Sequence, residues 1–265
     1  MKAARSPSLH PEALQSCLPG DRAGQADRCL NIPAPVPPDS FPGHLERDPL
    51  KKLIAYDLDG TLVDTRQDIV LSANHMLSAM GRPLLAAETI HSYVGRGLFD
   101  LIQSCLGTRD EKEIGRGARI YRRYYSEHMM DHTLLYPGAM KVLHHFKDRK
   151  QAVVTNKPSP FSEQMLESLG AADFLCGIVT GSSKHPPKPD PSAILEVLEK
   201  EKILPEEALF VGDSEVDFQT ACSAGIDAVL IAHGFVSRDK LESLSPKWLV
   251  DNFEELLQLA LKQSW

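Results

Sequence analysis

Two aspartates stand two residues apart in Tyr56-Asp57-Leu58-Asp59-Gly60-Thr61-Leu62-Val63-Asp64, directly after the apolar run Leu53-Ile54-Ala55. Side chains at i and i+2 of an extended chain face the same way, so Asp57 and Asp59 can converge on one point just past a strand end. Paired carboxylates repel, and core packing has no use for them. They make chemical sense with a cation between them, or with one as a nucleophile and the other trading protons. Short acidic motifs also recur by chance in strand-to-loop turns, so the pair alone decides nothing. Three more polar groups share its setting. Thr155-Asn156 follows Ala152-Val153-Val154, and Gly212-Asp213-Ser214-Glu215-Val216-Asp217 follows Leu209-Phe210-Val211. Lys188 lies in the loop Pro187-Lys188-Pro189-Asp190-Pro191. Singly these read as a turn, a helix cap and a surface loop. Together, at the ends of strands, they read as one site.

The elements that must hold them alternate between strand and helix. The apolar runs Leu53–Ala55, Ala152–Val154, Ile178–Thr180, Leu209–Val211 and Ala228–Ile231 predict buried strands. Between them, helical spacing predicts helices: Met140, Leu143 and Phe146; then one with Ser159 as N-cap, Pro160 at its first position and Gly170 past its end; then Ile194, Val197 and Leu198; then one ending at Gly225. A C-terminal helix is predicted from Asp251, with Glu254 completing a capping box. Such alternation implies an α/β fold with a parallel, Rossmann-like sheet covered on both faces. Working residues in such sheets sit beyond the carboxyl ends of the strands.

The alternation is interrupted once. Ile69, Val70, Ala73, Met76, Leu77 and Met80 follow helical spacing up to Gly81, and the pattern stays helical to about Tyr136. This predicts a small all-helical domain over residues 65–136, inserted into a core made of residues 51–64 and 137–265. Residues 1–50 are different again. Nine prolines and no lasting apolar period predict a disordered or extended leader.

Composition narrows the function classes. An apolar content of 42 % supports a real core. A net charge of -7 argues against nucleic acid or an acidic membrane surface as the main partner, though a few local cations suffice for a small anion. The five cysteines are scattered without C-x-x-C spacing, which fits a reducing compartment and no zinc framework. No apolar run approaches the roughly 18 residues of a membrane span, and the N-terminus has no signal-like apolar core. The expected location is the cytoplasm.

The order of the four motifs resembles that of the haloacid dehalogenase-like (HAD) hydrolases, over residues from about Lys52 to the C-terminus. Asp57-x-Asp59-Gly-Thr resembles the first motif, Thr155-Asn156 the second, Lys188 the third and Gly212-Asp213-Ser214-Glu215-Val216-Asp217 the fourth. Thr155-Asn156-Lys157-Pro158, Pro187-Lys188-Pro189-Asp190-Pro191 and the tail His233-Gly234-Phe235 with Trp248-Leu249-Val250-Asp251 are similar to bacterial phosphoglycolate phosphatases and their near relatives. The resemblance implies a Mg²⁺-dependent phosphatase acting on a small phosphorylated metabolite, 2-phosphoglycolate first, with the helical insert as a cap. It assigns Asp57 as nucleophile and Asp59 as acid and base. It gives Asp57, the main-chain carbonyl of Asp59, and Asp213 as metal ligands, with Asp217 acting through water or orienting a loop. Lys188, Thr155 and Asn156 would bind the phosphoryl group.

In the insert, Tyr93-Val94-Gly95-Arg96-Gly97-Leu98 is the candidate specificity loop, with Arg96 able to grip a carboxylate. Arg116, Arg119, Arg122 and Arg123 read as a solvated helix face. His128 and His132 have i, i+4 spacing but no acidic third ligand in pattern, which argues against a second metal site. A phosphosugar mutase, and a pyrophosphatase or sugar-phosphate phosphatase, would use the same core. A dehalogenase would lack Asp59. A regulatory binding protein keeping only the fold would be expected to lose a nucleophile or ligand, and none of Asp57, Asp59, Lys188 and Asp213 is missing.

Overall fold

The computed structural model describes residues 50–265. The leader predicted over residues 1–50 therefore lies, apart from Leu50, outside the described residues. In chain order the strands are β1 (Leu53–Tyr56), β2 (Val63–Asp64), β3 (Leu134–Leu135), β4 (Lys150–Val154), β5 (Gly177–Val179), β6 (Ala208–Gly212), β7 (Asp227–Ile231) and β8 (Trp248–Val250). The helices are α1 (Arg66–Ala79), α2 (Ala87–His91), α3 (Leu98–Leu106), α4 (Glu111–His128), α5 (Ala139–His145), α6 (Phe161–Ser168), α7 (Ser192–Glu201), α8 (Glu215–Ala224), α9 (Arg238–Glu242) and α10 (Phe253–Gln263).

Six strands form one parallel sheet in the order β5-β4-β1-β6-β7-β8. Successive residues of β1 serve opposite faces. Ile54 and Tyr56 join the core that includes Val153 and Val211, whereas Leu53 and Ala55 join the one that includes Val154 and Phe210. Both faces are covered by helices, which is why these strands read as unbroken apolar runs rather than alternating ones.

β1 lies between β4 and β6, with Tyr56 in register with Val153 on one side and Val211 on the other. From β4 the chain moves outward to β5, and from β6 it moves the opposite way to β7 and β8. The strand order thus reverses beside β1, and in open α/β sheets such a reversal leaves a crevice beyond the strand ends. Asp57, Thr155 and Asp213 each follow one of these three central strands and are brought to that crevice.

Helices α1 to α4 leave the sheet through β2 and return through β3, and these two strands pair antiparallel, Val63 with Leu135 and Asp64 with Leu134. Within the insert α4 packs on α1 and α3. Gly117 permits this, since a Cβ there would press on Ile102, Leu106 and Met76.

Local expectations are corrected in four places. The segment up to Tyr136 is not helical throughout, because β3 closes it. The sheet has a sixth strand, β8, of three residues only. α6 starts at Phe161 with Pro160 in the cap position, while the Ser159 N–H donates to the Ser182 hydroxyl at 3.1 Å. α10 is capped by Asn252, whose Oδ1 accepts from the N–H groups of Glu254 and Glu255. Asn caps as well as Asp, and Asp251 is still in the turn after β8.

Candidate active site

Asp57 is fixed where β1 ends, its N–H donating to the Val211 carbonyl at 2.9 Å. Its Oδ1 lies 2.7 Å from the Lys188 ammonium, which also reaches Asp217 Oδ1 at 2.7 Å. Asp217 belongs to the first turn of α8. Its Oδ2 accepts from the Ser214 N–H at 3.1 Å and hydroxyl at 2.6 Å, and the Ser214 hydroxyl accepts the Asp217 N–H in return. This capping arrangement therefore both starts the helix and holds the partner of Lys188. Asp213 accepts from the Thr61 hydroxyl at 3.2 Å and from the Phe235 N–H at 2.7 Å. Gly60 (φ +84°) and Gly234 press against the Asp213 carboxylate so closely that a Cβ at either would overlap it.

All four charged groups are buried. Burial pushes the Asp57 carboxyl from its ordinary 3.8 up to about 7, against the pull of Lys188. Burial, followed by the neighbouring Asp217 and Asp57, raises Asp213 well above the carboxylate range. Burial opposes the charge on Lys188, but Asp217 and Asp57 outweigh it and raise its pKa. One ammonium thus faces three buried carboxylates. Oxygens of Asp57, Asp213 and Asp217 all lie within 4.8 Å of one another. An oxygen-only set with surplus negative charge, out of water, fits a hard divalent cation. The cluster includes Asp217, which the sequence pattern had placed at one remove, and leaves out the Asp59 carboxylate.

Asp59 has a separate environment. Its Oδ1 accepts from the Thr65 hydroxyl and the Lys157 ammonium, each at 2.8 Å. The Lys157 ammonium also donates to the Tyr125 hydroxyl on α4 at 2.7 Å. Lys157 and Tyr125 are both buried, and neither was singled out for chemistry in the sequence. Lys157 stood in plain view beside Thr155-Asn156, where its charge three residues past a buried strand end was the available signal. Tyr125 had none, because an aromatic at helical spacing reads as core.

Thr155 continues β4, its N–H donating to the Val179 carbonyl at 2.9 Å. Its hydroxyl accepts from the Lys157 N–H at 3.1 Å. Asn156, predicted to touch substrate, lines the cavity, and its side-chain amide bonds to the protein. Its Nδ2 donates to the carbonyls of Gly95 (2.9 Å) and Lys188 (3.0 Å), and its Oδ1 accepts from the Lys188 N–H (2.8 Å). It ties the insert loop and the lysine loop to the end of β4.

A cavity of about 60 Å³ opens between the strand ends and the insert. Asp57, Asp59, Thr155 and Lys157 line it from below; Gly95, Gly97, Leu98, Tyr121 and Tyr125 line it from the insert. Arg96, between the two glycines, is exposed and is not among the lining residues. Arg116, Arg119 and Arg123 are exposed and Arg122 half-buried, as a solvated face requires. His128 pairs with Asp131 and His132 with Asp68, each at 2.8 Å, so the two histidines do not converge.

Comparison with known proteins places this geometry. The family model described as haloacid dehalogenase-like hydrolase matches residues 54–231. A phosphoglycolate phosphatase of Nitrosospira multiformis is 33% identical over 220 residues, covering 80% of this chain and 97% of that protein. One of Pseudomonas savastanoi pv. phaseolicola is 31% identical over 216 residues, covering 78% and 79%. Among solved structures, a predicted phosphoglycolate phosphatase from Haemophilus somnus superposes with a TM-score of 0.76 at 30% identity, over 79% of this chain and 98% of its own. A haloacid dehalogenase-like family hydrolase from Streptococcus pneumoniae superposes with a TM-score of 0.72 at 26% identity, over 79% and 98%.

Proposed function

Because the chain belongs to the haloacid dehalogenase-like hydrolase family, we propose that it is a Mg²⁺-dependent phosphatase. It hydrolyses a small phosphomonoester, 2-phosphoglycolate foremost, through an aspartyl-phosphate on Asp57. The observation that carries this reading is the separation of two carboxylates into two environments at one cavity. Asp57 is paired with Lys188 among further acids, and Asp59 is held apart by Thr65 and Lys157. Groups two residues apart are thereby fitted for different roles.

An Asp57 oxygen attacks phosphorus, forming a P–O bond as the bond to the ester oxygen breaks. Asp59 gives its proton to the departing alkoxide, then takes one from the water that cleaves the acyl phosphate. Lys188 offsets charge on Asp57 and the phosphoryl oxygens, and the Thr155 hydroxyl can donate to one of those oxygens. Asp57, Asp213, the main-chain carbonyl of Asp59 and, on its position, Asp217 would hold Mg²⁺. When bound, the ion keeps Asp57 ionised and offsets the charge of the transferred group. Helices α1 to α4 act as the cap that chooses the substrate. Among the described residues no helix is long and apolar enough to cross a membrane, in keeping with a cytoplasmic enzyme of small-molecule metabolism.

The test is phosphate release across a panel of small phosphomonoesters, with and without Mg²⁺, for wild type and Asp57→Asn. Release that needs both the ion and Asp57, highest on 2-phosphoglycolate, is expected. Turnover that survives Asp57→Asn would remove the nucleophile assignment.

A further inference from the structure

The phosphatase reading leaves one cavity feature unexplained. Among the described residues, the cation lining the cavity is Lys157, not Arg96. An ammonium has three donors. Here Asp59 Oδ1 and the Tyr125 hydroxyl take two of them, leaving one for a ligand. The Tyr125 hydroxyl accepts from Lys157, so its own O–H remains to be donated. Burial, then the nearby Asp59 and Asp68, raises the Tyr125 pKa, so the phenol stays protonated. Two donors 2.7 Å apart, one from the core and one from the insert, thus line a cavity whose other acids repel anions.

A group that leaves both Lys157 and Tyr125 an N–H or O–H to give is matched by a ligand with two adjacent acceptor oxygens and negative charge. Apart from the Tyr121 phenol, the rest of the insert wall is apolar or glycine, with Leu98, Leu101, Gly95 and Gly97 among it. A cavity this small favours a short ligand over a long one. We propose that Lys157 and Tyr125 form the subsite for a carboxylate on the substrate, so that the preferred substrates are short phosphomonoesters carrying that second anion. Arg96 takes no part in this. The proposal rests on the phosphatase reading and extends it to the half of the substrate that does not react.

The experiment compares kcat/KM for 2-phosphoglycolate with that for 2-hydroxyethyl phosphate, its counterpart with a hydroxyl in place of the carboxylate. It uses full-length wild type, Lys157→Gln, Lys157→Met, Tyr125→Phe and Arg96→Ala, all with Mg²⁺. Loss of Asp59 alignment would slow both substrates alike, so the ratio of the two isolates the carboxylate. Wild type is expected to favour the carboxylate, and Lys157→Gln to cut that preference about 10- to 100-fold, mainly through KM, as for a charged hydrogen bond. Tyr125→Phe is expected to cut it less, and Arg96→Ala to leave it unchanged. Lys157→Gln keeps a side chain able to donate to Tyr125, and so gives an answer should Lys157→Met fail to fold. A preference that survives Lys157→Gln and disappears in Arg96→Ala overturns the subsite while leaving the phosphatase reading intact. Wild type that hydrolyses both substrates equally does the same. Wild type that hydrolyses neither overturns both.

Discussion

Asn156 grips Lys188 from both sides, its Oδ1 taking the Lys188 N–H at 2.8 Å and its Nδ2 giving to the Lys188 carbonyl at 3.0 Å. The lysine that neutralises Asp57 sits in a proline-rich loop far along the chain, and a single amide aligns that loop with the end of β4. Asn156→Ala is therefore expected to lower kcat about 10- to 100-fold, as small misplacements of catalytic groups do. It should also cost about 1–3 kcal/mol of stability through unpaired buried backbone groups. Steady-state kinetics and denaturant melts on the same preparation check both. A change in KM alone would return Asn156 to a substrate-binding role.

The buried acids make stability depend on pH and metal. Burial pushes the Asp57 carboxyl from an ordinary 3.8 up to about 7 in the folded chain, and Asp213 moves the same way. Between those values the folded state holds protons that the unfolded chain has released, so stability falls as pH rises through that window. In chelator, the melting temperature should drop between about pH 4 and about pH 7, and Asp57→Asn should flatten that drop. Mg²⁺ competes with those protons, so its stabilising shift should be larger at the higher pH. Thermal melts that ignore pH in chelator would contradict the assignment.

Lys188 is the ammonium set among three buried carboxylates. Lys188→Met leaves them uncompensated and should destabilise the metal-free protein by about 3–5 kcal/mol. Added Mg²⁺ should restore part of that loss without restoring turnover. Chemical denaturation with and without the ion separates the two effects.

Gly234 bears on the proposed metal site through Asp213. A methyl group at this position overlaps the Asp213 carboxylate, which is also held by the adjacent Phe235 N–H. Gly234→Ala should weaken Mg²⁺ binding about 10- to 100-fold, as loss of support behind a ligand does, while the far side of the sheet stays folded. Titration calorimetry with Mg²⁺ reads this directly.

Much of this was legible in the sequence. Buried strands announce themselves as short β-branched runs, and Asp57, Thr155 and Asp213 are polar residues placed where such runs stop. What escaped are relations that only packing creates. β8 is three residues long, too short to show a period. Tyr125 offers the sequence an aromatic ring at helical spacing, and its hydroxyl acquires meaning only when α4 lies over Lys157. Arg96 between two glycines looked like a grip for an anion. The glycines do approach the cavity, while the arginine between them is exposed and is not among the residues that line it. Asp251 and Asn252 are equally good caps, and the end of β8 decides between them.

The pairing of β2 with β3 has a consequence for how such a molecule can diversify. The insert departs and returns through neighbouring residues, Val63 beside Leu135 and Asp64 beside Leu134, so the sheet sees a detour whose two ends never part. Helices of another length or shape could be spliced at that ribbon without shifting the register of β1 on β4 and β6. The parallel sheet and the helical insert are thereby free to change at different rates.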